Sequence, residues 1–160
     1  MIIMQDTREK AGKKDHILDY FAAHGIDVVH SKVYVGDYTL PTDQSICIDT
    51  KQDMLELFGN LTQDHVRFRN ECIRAQEADI QLIVLTEEMP PDGKIELWES
   101  PIWKSTTSEH KKGEPKSHAN PATMKKAMLT MHEKYGVRFW FCDKSRTGEL
   151  IVKTLSKGGN

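Results

Sequence analysis

Apolar positions fall in short runs whose period changes several times along the chain. Residues 2–4 form a brief apolar run, followed by a polar stretch over residues 5–14. Ile17, Leu18, Phe21 and Ala22 then recur at helical spacing, with Asp15 as an N-cap and Gly25 as a stop. Residues 26–30 and 32–40 are rich in β-branched and aromatic side chains. Another apolar run, residues 45–49, follows the turn-like Pro41-Thr42-Asp43. This pattern predicts a strand, a helix and a meander of three strands. Asp53 and Glu56 form a capping-box pattern ahead of Leu57 and Phe58. A longer helix over residues 62–78 is expected to bury Phe68, Cys72, Ile73 and Ala75.

Residues 81–85 read Gln-Leu-Ile-Val-Leu, as expected of a central strand covered on both faces. Asn120-Pro121 supplies an N-cap and first-turn pair. The stripe Met124, Ala127, Met128, Met131 and Tyr135 then runs at helical spacing to Gly136, and reads as core packing rather than a dimer face. A strand over residues 137–142 and a helix over residues 147–155 complete the pattern. Residues 90–120 are different: they hold Trp98, Trp103, prolines and many Ser, Thr and Lys without a sustained period. They read as a long loop or insertion, with one short strand at 95–98. Strands interleaved with helices around a hydrophobic central strand predict an α/β fold with a mixed sheet. The 160 residues suit one domain spanning 1–160 and are too few for two proper cores.

Composition narrows the function classes. With 38% apolar and 29% charged residues, the chain is not wholly disordered. No window approaches eighteen apolar residues, and the first residues lack the basic-then-apolar order of a signal peptide. Cys47, Cys72 and Cys142 are odd in number, far apart and set in apolar surroundings, which reads as reduced core thiols in a cytoplasmic protein. Neither they nor the seven histidines show zinc spacing. Because 24 acidic side chains balance 22 basic ones, any nucleic-acid binding has to come from a local patch.

The candidate chemistry lies in the first 51 residues. Asp6, Arg8 and Glu9 follow the first strand, Asp37 sits in Val35-Gly36-Asp37-Tyr38, and Asp49-Thr50-Lys51 ends the strand Ile46-Cys47-Ile48. Residues i and i+2 of a strand point to one side, so Asp49 and Lys51 face a common cleft that Asp37 can reach from the neighbouring hairpin. Two carboxylates and the backbone carbonyl of Thr50 suit a hard divalent cation, Mg²⁺ or Mn²⁺. Such an ion polarises a phosphate and activates water, and a lysine can orient that water. The chain has three other acidic-x-Lys triplets, at 92–94, 109–111 and 114–116, all inside the aperiodic tract. Only Asp49-Thr50-Lys51 ends a core strand.

These motifs resemble the XPF-type structure-specific nucleases of the PD-(D/E)xK superfamily. That family opens with a strand leading into Asp-x-Arg-Glu, here Asp6-Thr7-Arg8-Glu9, and continues with Gly-Asp-Tyr, here Gly36-Asp37-Tyr38. It then places Glu-Arg-Lys at a strand end, where this chain has Asp49-Thr50-Lys51. The basic stretch His65-Val66-Arg67-Phe68-Arg69 and the strand leading to Glu87 and Glu88 also fit. The resemblance implies a restriction-endonuclease-like fold and a metal-dependent DNA endonuclease acting on branched or flapped DNA in replication, repair or recombination. Asp37, Asp49 and Thr50 would hold the ion, Asp6 and Glu9 would complete the water network, Lys51 would position the water, and Arg8 would steady the site. A junction resolvase, a restriction-type nuclease or a non-catalytic DNA-binding subunit are the rivals.

The sequence departs from that pattern twice. Asp49 is one methylene shorter than the family glutamate, and Thr50 replaces an arginine. The tandem helix-hairpin-helix domain with which many relatives grip branched DNA has no counterpart among these residues, leaving a second copy or another protein to supply recognition of DNA structure. Candidate DNA contacts are Lys10, Lys13 and Lys14 beside the site, His65 and Arg67 on the following helix, and Trp103, Lys104, Lys111, Lys112 and Lys116 in the aperiodic tract. Arg67 and Glu71, four residues apart, equally suit a surface ion pair.

Overall fold

The computed structural model describes residues 1–8, 11–89 and 121–158. Residues 90–120, including the strand expected at 95–98, lie outside the described residues, as do Glu9, Lys10 and Asn120. The described strands are β1 (Ile2–Asp6), β2 (Asp27–Ser31), β3 (Tyr38–Thr39), β4 (Ile46–Lys51), β5 (Gln81–Thr86) and β6 (Arg138–Phe141). They form a sheet in the order β2-β1-β3-β4-β5-β6. β3 is antiparallel to both of its neighbours and the other pairings are parallel, so the sheet is mixed, as the periodicity predicts. The helices are α1 (Asp15–Ala23), α2 (Met54–Thr62), α3 (His65–Glu77), α4 (Pro121–Tyr135) and α5 (Thr147–Gly158).

The alternation of side chains along β4 and β5 divides the interior in two. Cys47, Leu82 and Val84 pack with Leu57, Phe68, Cys72, Met124 and Met128 from α2, α3 and α4. Ile48, Ile83 and Leu85 point the other way, towards Ile17, Phe21, Ile151 and Leu155 of α1 and α5. Both faces of β5 are covered, which is why its sequence shows no polar alternation. α5 approaches α1 closely at Gly148, where an added Cβ would lie 2.6 Å from the Tyr20 ring. The three cysteines are buried and free. No helix among the described residues is long and apolar enough to cross a membrane.

Three local expectations are corrected. The meander does not form: β2 lies at the sheet edge, parallel to β1, with Ile2 opposite Asp27 and Asp6 opposite Ser31. α1 acts as the crossover between β1 and β2, and a helical crossover returns the chain parallel rather than antiparallel. Residues 32–37 are irregular, and β3 is only Tyr38–Thr39. Val33 and Val35 are buried while Tyr34 is 52% exposed, so the segment alternates like a strand without belonging to a ladder. Asp15 is the first residue of α1, and Lys14 holds the N-cap position. Ile73 is half-buried instead of core. The capping pattern of α2 does form: Asp53 accepts from the Glu56 N–H at 2.8 Å. Glu56 in turn takes the Gln52 N–H at 2.7 Å, one residue earlier than the usual reciprocal bond.

Candidate active site

The site lies at the carboxyl end of β4. Asp49 and Lys51 emerge on the α2/α3 side, and Thr50 between them faces α1, as strand alternation requires. Asp37 arrives just before β3, locked by backbone bonds on both sides. Its N–H donates to Ile48 O and its carbonyl accepts from Asp6 N–H, each at 2.8 Å. Its Oδ2 accepts from the Thr50 N–H at 2.8 Å and the Thr50 hydroxyl at 2.6 Å. Gly36 makes this approach possible. Its φ is +73°, and a Cβ there would sit 3.0 Å from Ile48 O.

These groups line a cleft of about 520 Å³ together with Asp6, Arg8, Lys13, Lys14, Gln52, Glu56, Arg67, Glu71 and Arg74. Lys51 Nζ lies 2.7 Å from Asp49 Oδ2, with both side chains buried. The contact is an ion pair at the margin of hydrogen-bond geometry, and no other donor reaches that buried oxygen. Burial pushes the Asp49 carboxyl up to about 7; Lys51 pulls it down, and Asp37 and Glu71 add to the rise. Burial also opposes the Lys51 charge, but Asp49 and Asp37 more than compensate and its pKa is raised. The two shifts pull against each other across one contact. The 2.7 Å separation favours the charged pair, held under load by the carboxylates around it.

Asp6, expected in the water network, is bound in the structure by Arg8 and the Val33 N–H. It is 3% exposed and accepts from Arg8 N–H at 2.7 Å, Arg8 Nε at 2.9 Å and Arg8 Nη2 at 2.5 Å, and from the Val33 N–H at 3.3 Å. Burial works to raise its pKa, but the bonds from Arg8 and Val33 outweigh it and the carboxyl is held below its ordinary value. Arg8 Nη2 also donates to Val33 O at 3.1 Å, so the pair braces the loop ahead of Asp37.

Among the DNA-contact candidates, Lys13 and Arg67 are exposed and line the cleft. Lys14 lines it from inside: it is buried, with Nζ 3.4 Å from Asp37 Oδ2, 3.3 Å from Thr50 O and in contact with Thr50 Oγ1. His65, the first residue of α3, bonds through Nδ1 to the carbonyl of Thr62 at the end of α2 at 2.9 Å and borders a separate groove between α3 and α4. Glu9, Lys10, Trp103, Lys104, Lys111, Lys112 and Lys116 lie outside the described residues.

Glu71 and Arg74 were not singled out for the cleft from sequence. Glu71 does not pair with Arg67; its Oε1 accepts from the Gly36 N–H at 2.8 Å. The spacing of Arg67, Glu71 and Arg74 puts all three on one helical face, the signal that could have found them. Glu87 and Glu88, just after β5, are tied to neighbouring elements. Glu87 bonds His16 and the Thr147 hydroxyl, and its N–H donates to Lys51 O, while Glu88 accepts the Met54 N–H.

The donor set fits a hard cation. Two carboxylates and the Thr50 carbonyl border the same cleft, Asp49 Oδ2 meets no donor besides the Lys51 ammonium, and a cationic group already rests on Asp37 and Thr50 in the form of Lys14. Among the described residues, no group of three or more His, Cys, Asp or Glu side chains is placed to hold a metal ion.

The same architecture occurs in solved structures. XPF from Aeropyrum pernix superposes with a TM-score of 0.68 at 15% identity, covering 100% of this chain and 66% of that one. XPF from Aeropyrum pernix in complex with DNA gives 0.68 at 16% identity, covering 99% and 64%. This chain therefore spans about two thirds of the length of those chains. At such identity the likeness carries the restriction-endonuclease-like fold alone. No curated protein matches the chain. The ERCC4 domain, by contrast, matches residues 5–154, from within β1 almost to the end of α5 and across all three motifs of the cleft. That span settles the family, as the XPF-type motifs imply: the chain belongs to the ERCC4 domain family.

Proposed function

We propose that this chain is a divalent-cation-dependent endonuclease that hydrolyses phosphodiester bonds in branched or flapped DNA during replication, repair or recombination. The observation that carries the reading is the meeting of Asp37, Asp49, Thr50 O and Lys51 in one cleft at the end of β4. Asp37, Asp49 and the Thr50 carbonyl would hold Mg²⁺ or Mn²⁺. When bound there, such an ion polarises the phosphate and lowers the pKa of water.

The remaining work falls to side chains of the chain itself. Lys51, kept charged by Asp49, orients the attacking water and offsets charge developing on the phosphate. Arg8, Lys13, Arg67 and Arg74 line the cleft and can hold phosphates on either side of the scissile bond. Asp6 keeps Arg8 oriented. Trp103, Lys104, Lys111, Lys112 and Lys116 are proposed as additional DNA contacts on composition alone: lysines neutralise phosphates and tryptophan stacks on unpaired bases. A second copy of the chain or another protein would supply further recognition of DNA structure.

The test is a cleavage panel of flap, fork, four-way junction and plain duplex, with Mg²⁺, Mn²⁺ or a chelator. Cleavage of flaps and forks that needs the ion supports the reading. Preference for junctions or for plain duplex would favour a resolvase or a restriction-type nuclease, and DNA binding without cleavage a non-catalytic subunit.

A further inference from the structure

Lys14 breaks two local rules at once. It occupies the N-cap position of α1, with φ −119° and ψ 16°, and makes no side-chain cap bond. A lysine there cannot accept from the first helical N–H groups, and its charge adds to the positive end of the helix dipole. Its side chain instead turns into the cleft and is 6% exposed. A local rule broken without gain to the helix points to a use elsewhere.

That use is visible in what the ammonium touches. Nζ lies 3.4 Å from Asp37 Oδ2 and 3.3 Å from Thr50 O, and contacts Thr50 Oγ1. Two of the three groups assigned above to a divalent ion, Asp37 and the Thr50 carbonyl, are therefore engaged by an internal cation. A buried ammonium is tolerated only beside anionic or strongly accepting groups. The reverse also holds: Asp37, Asp49 and Glu71 crowd one cleft and need positive charge among them. Lys51 already serves Asp49. A divalent ion held by Asp37 and the Thr50 carbonyl would lie close to the Lys14 ammonium, repel it and compete with it for these acceptors.

We propose that Lys14 is the built-in counter-cation of this cleft, holding Asp37 and Thr50 in place when no metal is bound and withdrawing when a divalent ion takes those oxygens. The inference rests on the metal reading of the previous section. Lys14 thereby acts as a positioning residue that sets the metal affinity of the site. Its withdrawal moves a positive charge from the interior of the cleft towards Lys13 at its exposed side, where phosphate would lie.

The first test uses the unaltered chain. An amine-acylating reagent is applied with and without Mn²⁺, and modification of Lys14 is read by peptide mass spectrometry against exposed Lys13. Lys14 should be protected without metal and become modified with it; protection that Mn²⁺ leaves unchanged overturns the proposal. The second test is calorimetric titration of Mn²⁺ into Lys14→Met. Removing a competitor that bonds a charged acceptor should tighten binding by about tenfold, and the variant's metal-free melting temperature should fall. Equal or weaker binding in Lys14→Met, with wild type binding Mn²⁺ and Asp37→Asn failing to, defeats this inference and leaves the metal reading standing. Absence of Mn²⁺ binding by wild type defeats both. If Lys14→Met does not fold, the acylation experiment decides alone.

Discussion

The carboxylate of Glu71 on α3 accepts the backbone N–H of Gly36 at 2.8 Å, tying a helix to a loop 35 residues earlier in the chain. The next residue in that loop is Asp37, whose Oδ2 is shared by the Thr50 N–H, the Thr50 hydroxyl and Lys14. One carboxylate of the cleft thus helps to fix the position of another, the proposed ion ligand Asp37. Glu71→Ala should leave the fold intact, at a cost of about 1 kcal/mol for the lost bond. Single-turnover cleavage should slow much more than that loss of stability suggests, because misplacing a ligand by a fraction of an ångström is costly. Glu71→Gln, whose amide oxygen can still accept from Gly36, should recover most of the rate. Equal rates for Glu71→Ala and wild type would remove this role.

Gly36→Ala tests the same loop from the other side. Its φ of +73° is unfavourable to a side chain, and the new Cβ would lie 3.0 Å from Ile48 O and 3.2 Å from Ile48 C, both backbone atoms that cannot rotate away. The conformational part alone costs about 1–2 kcal/mol. Denaturant unfolding should show at least that loss, together with weaker Mn²⁺ binding as Asp37 shifts. A variant as stable as wild type would mean that the loop relaxes freely.

Lys51 and Asp37 should separate in a binding-against-rate comparison. Asp37→Asn keeps the side-chain volume but removes a charge from the cation site, so both Mn²⁺ binding and cleavage should collapse. Lys51→Met keeps the apolar stem and removes the ammonium. Losing Lys51 removes the group that pulls the Asp49 pKa down, so Mn²⁺ should still bind, but only at alkaline pH, where Asp49 is ionised and can take the ion in place of the lysine. Single-turnover cleavage should nevertheless fall by about 100-fold or more, the scale of losing one group aimed at developing charge. An unchanged rate would make Lys51 only the counter-ion of Asp49.

Asp6 gives a pH test that needs no substrate. Its carboxyl is held below its ordinary value, so the folded state favours the ionised form. The resulting stability is present above the ordinary carboxylate range, at about pH 4, and is lost as pH falls through the lowered value. Asp6→Asn should therefore be less stable than wild type at pH 7 by about 1–3 kcal/mol, since Arg8 and Val33 lose a charged acceptor. The gap should narrow on acidification below about pH 4. Thermal melts at several pH values check this, and a gap independent of pH would mean that the Asp6 charge contributes nothing.

Much of this protein was legible from residue order alone. Strand alternation put Asp49 and Lys51 on one side of β4, and the structure places them 2.7 Å apart. The apolar run of residues 82–85 announced a strand covered twice, and Leu82 and Ile83 do belong to opposite cores. Asp53 and Glu56 marked the start of α2. These features are local: each depends on the period of a strand or helix, or on a cap a few residues away, and such distances are written into the sequence. The XPF-type motifs added order to them but no geometry.

Tertiary structure decided the rest. Alternating Val33 and Val35 resemble a strand, but whether a segment joins a ladder depends on what lies beside it, and here β2 had already paired with β1 at the sheet edge. Lys14 looked like one more phosphate-facing lysine, since nothing in its neighbours along the chain reveals that Thr50, 36 residues away, lies beneath it. Arg67 and Glu71 have the spacing of a surface ion pair, yet the Gly36 N–H competes for the glutamate, and only the packing of α3 against that loop brings it within reach. Sequence sets which groups are available and which face of an element they share; the partner each finally meets depends on chain closure over tens of residues, which local periodicity does not encode.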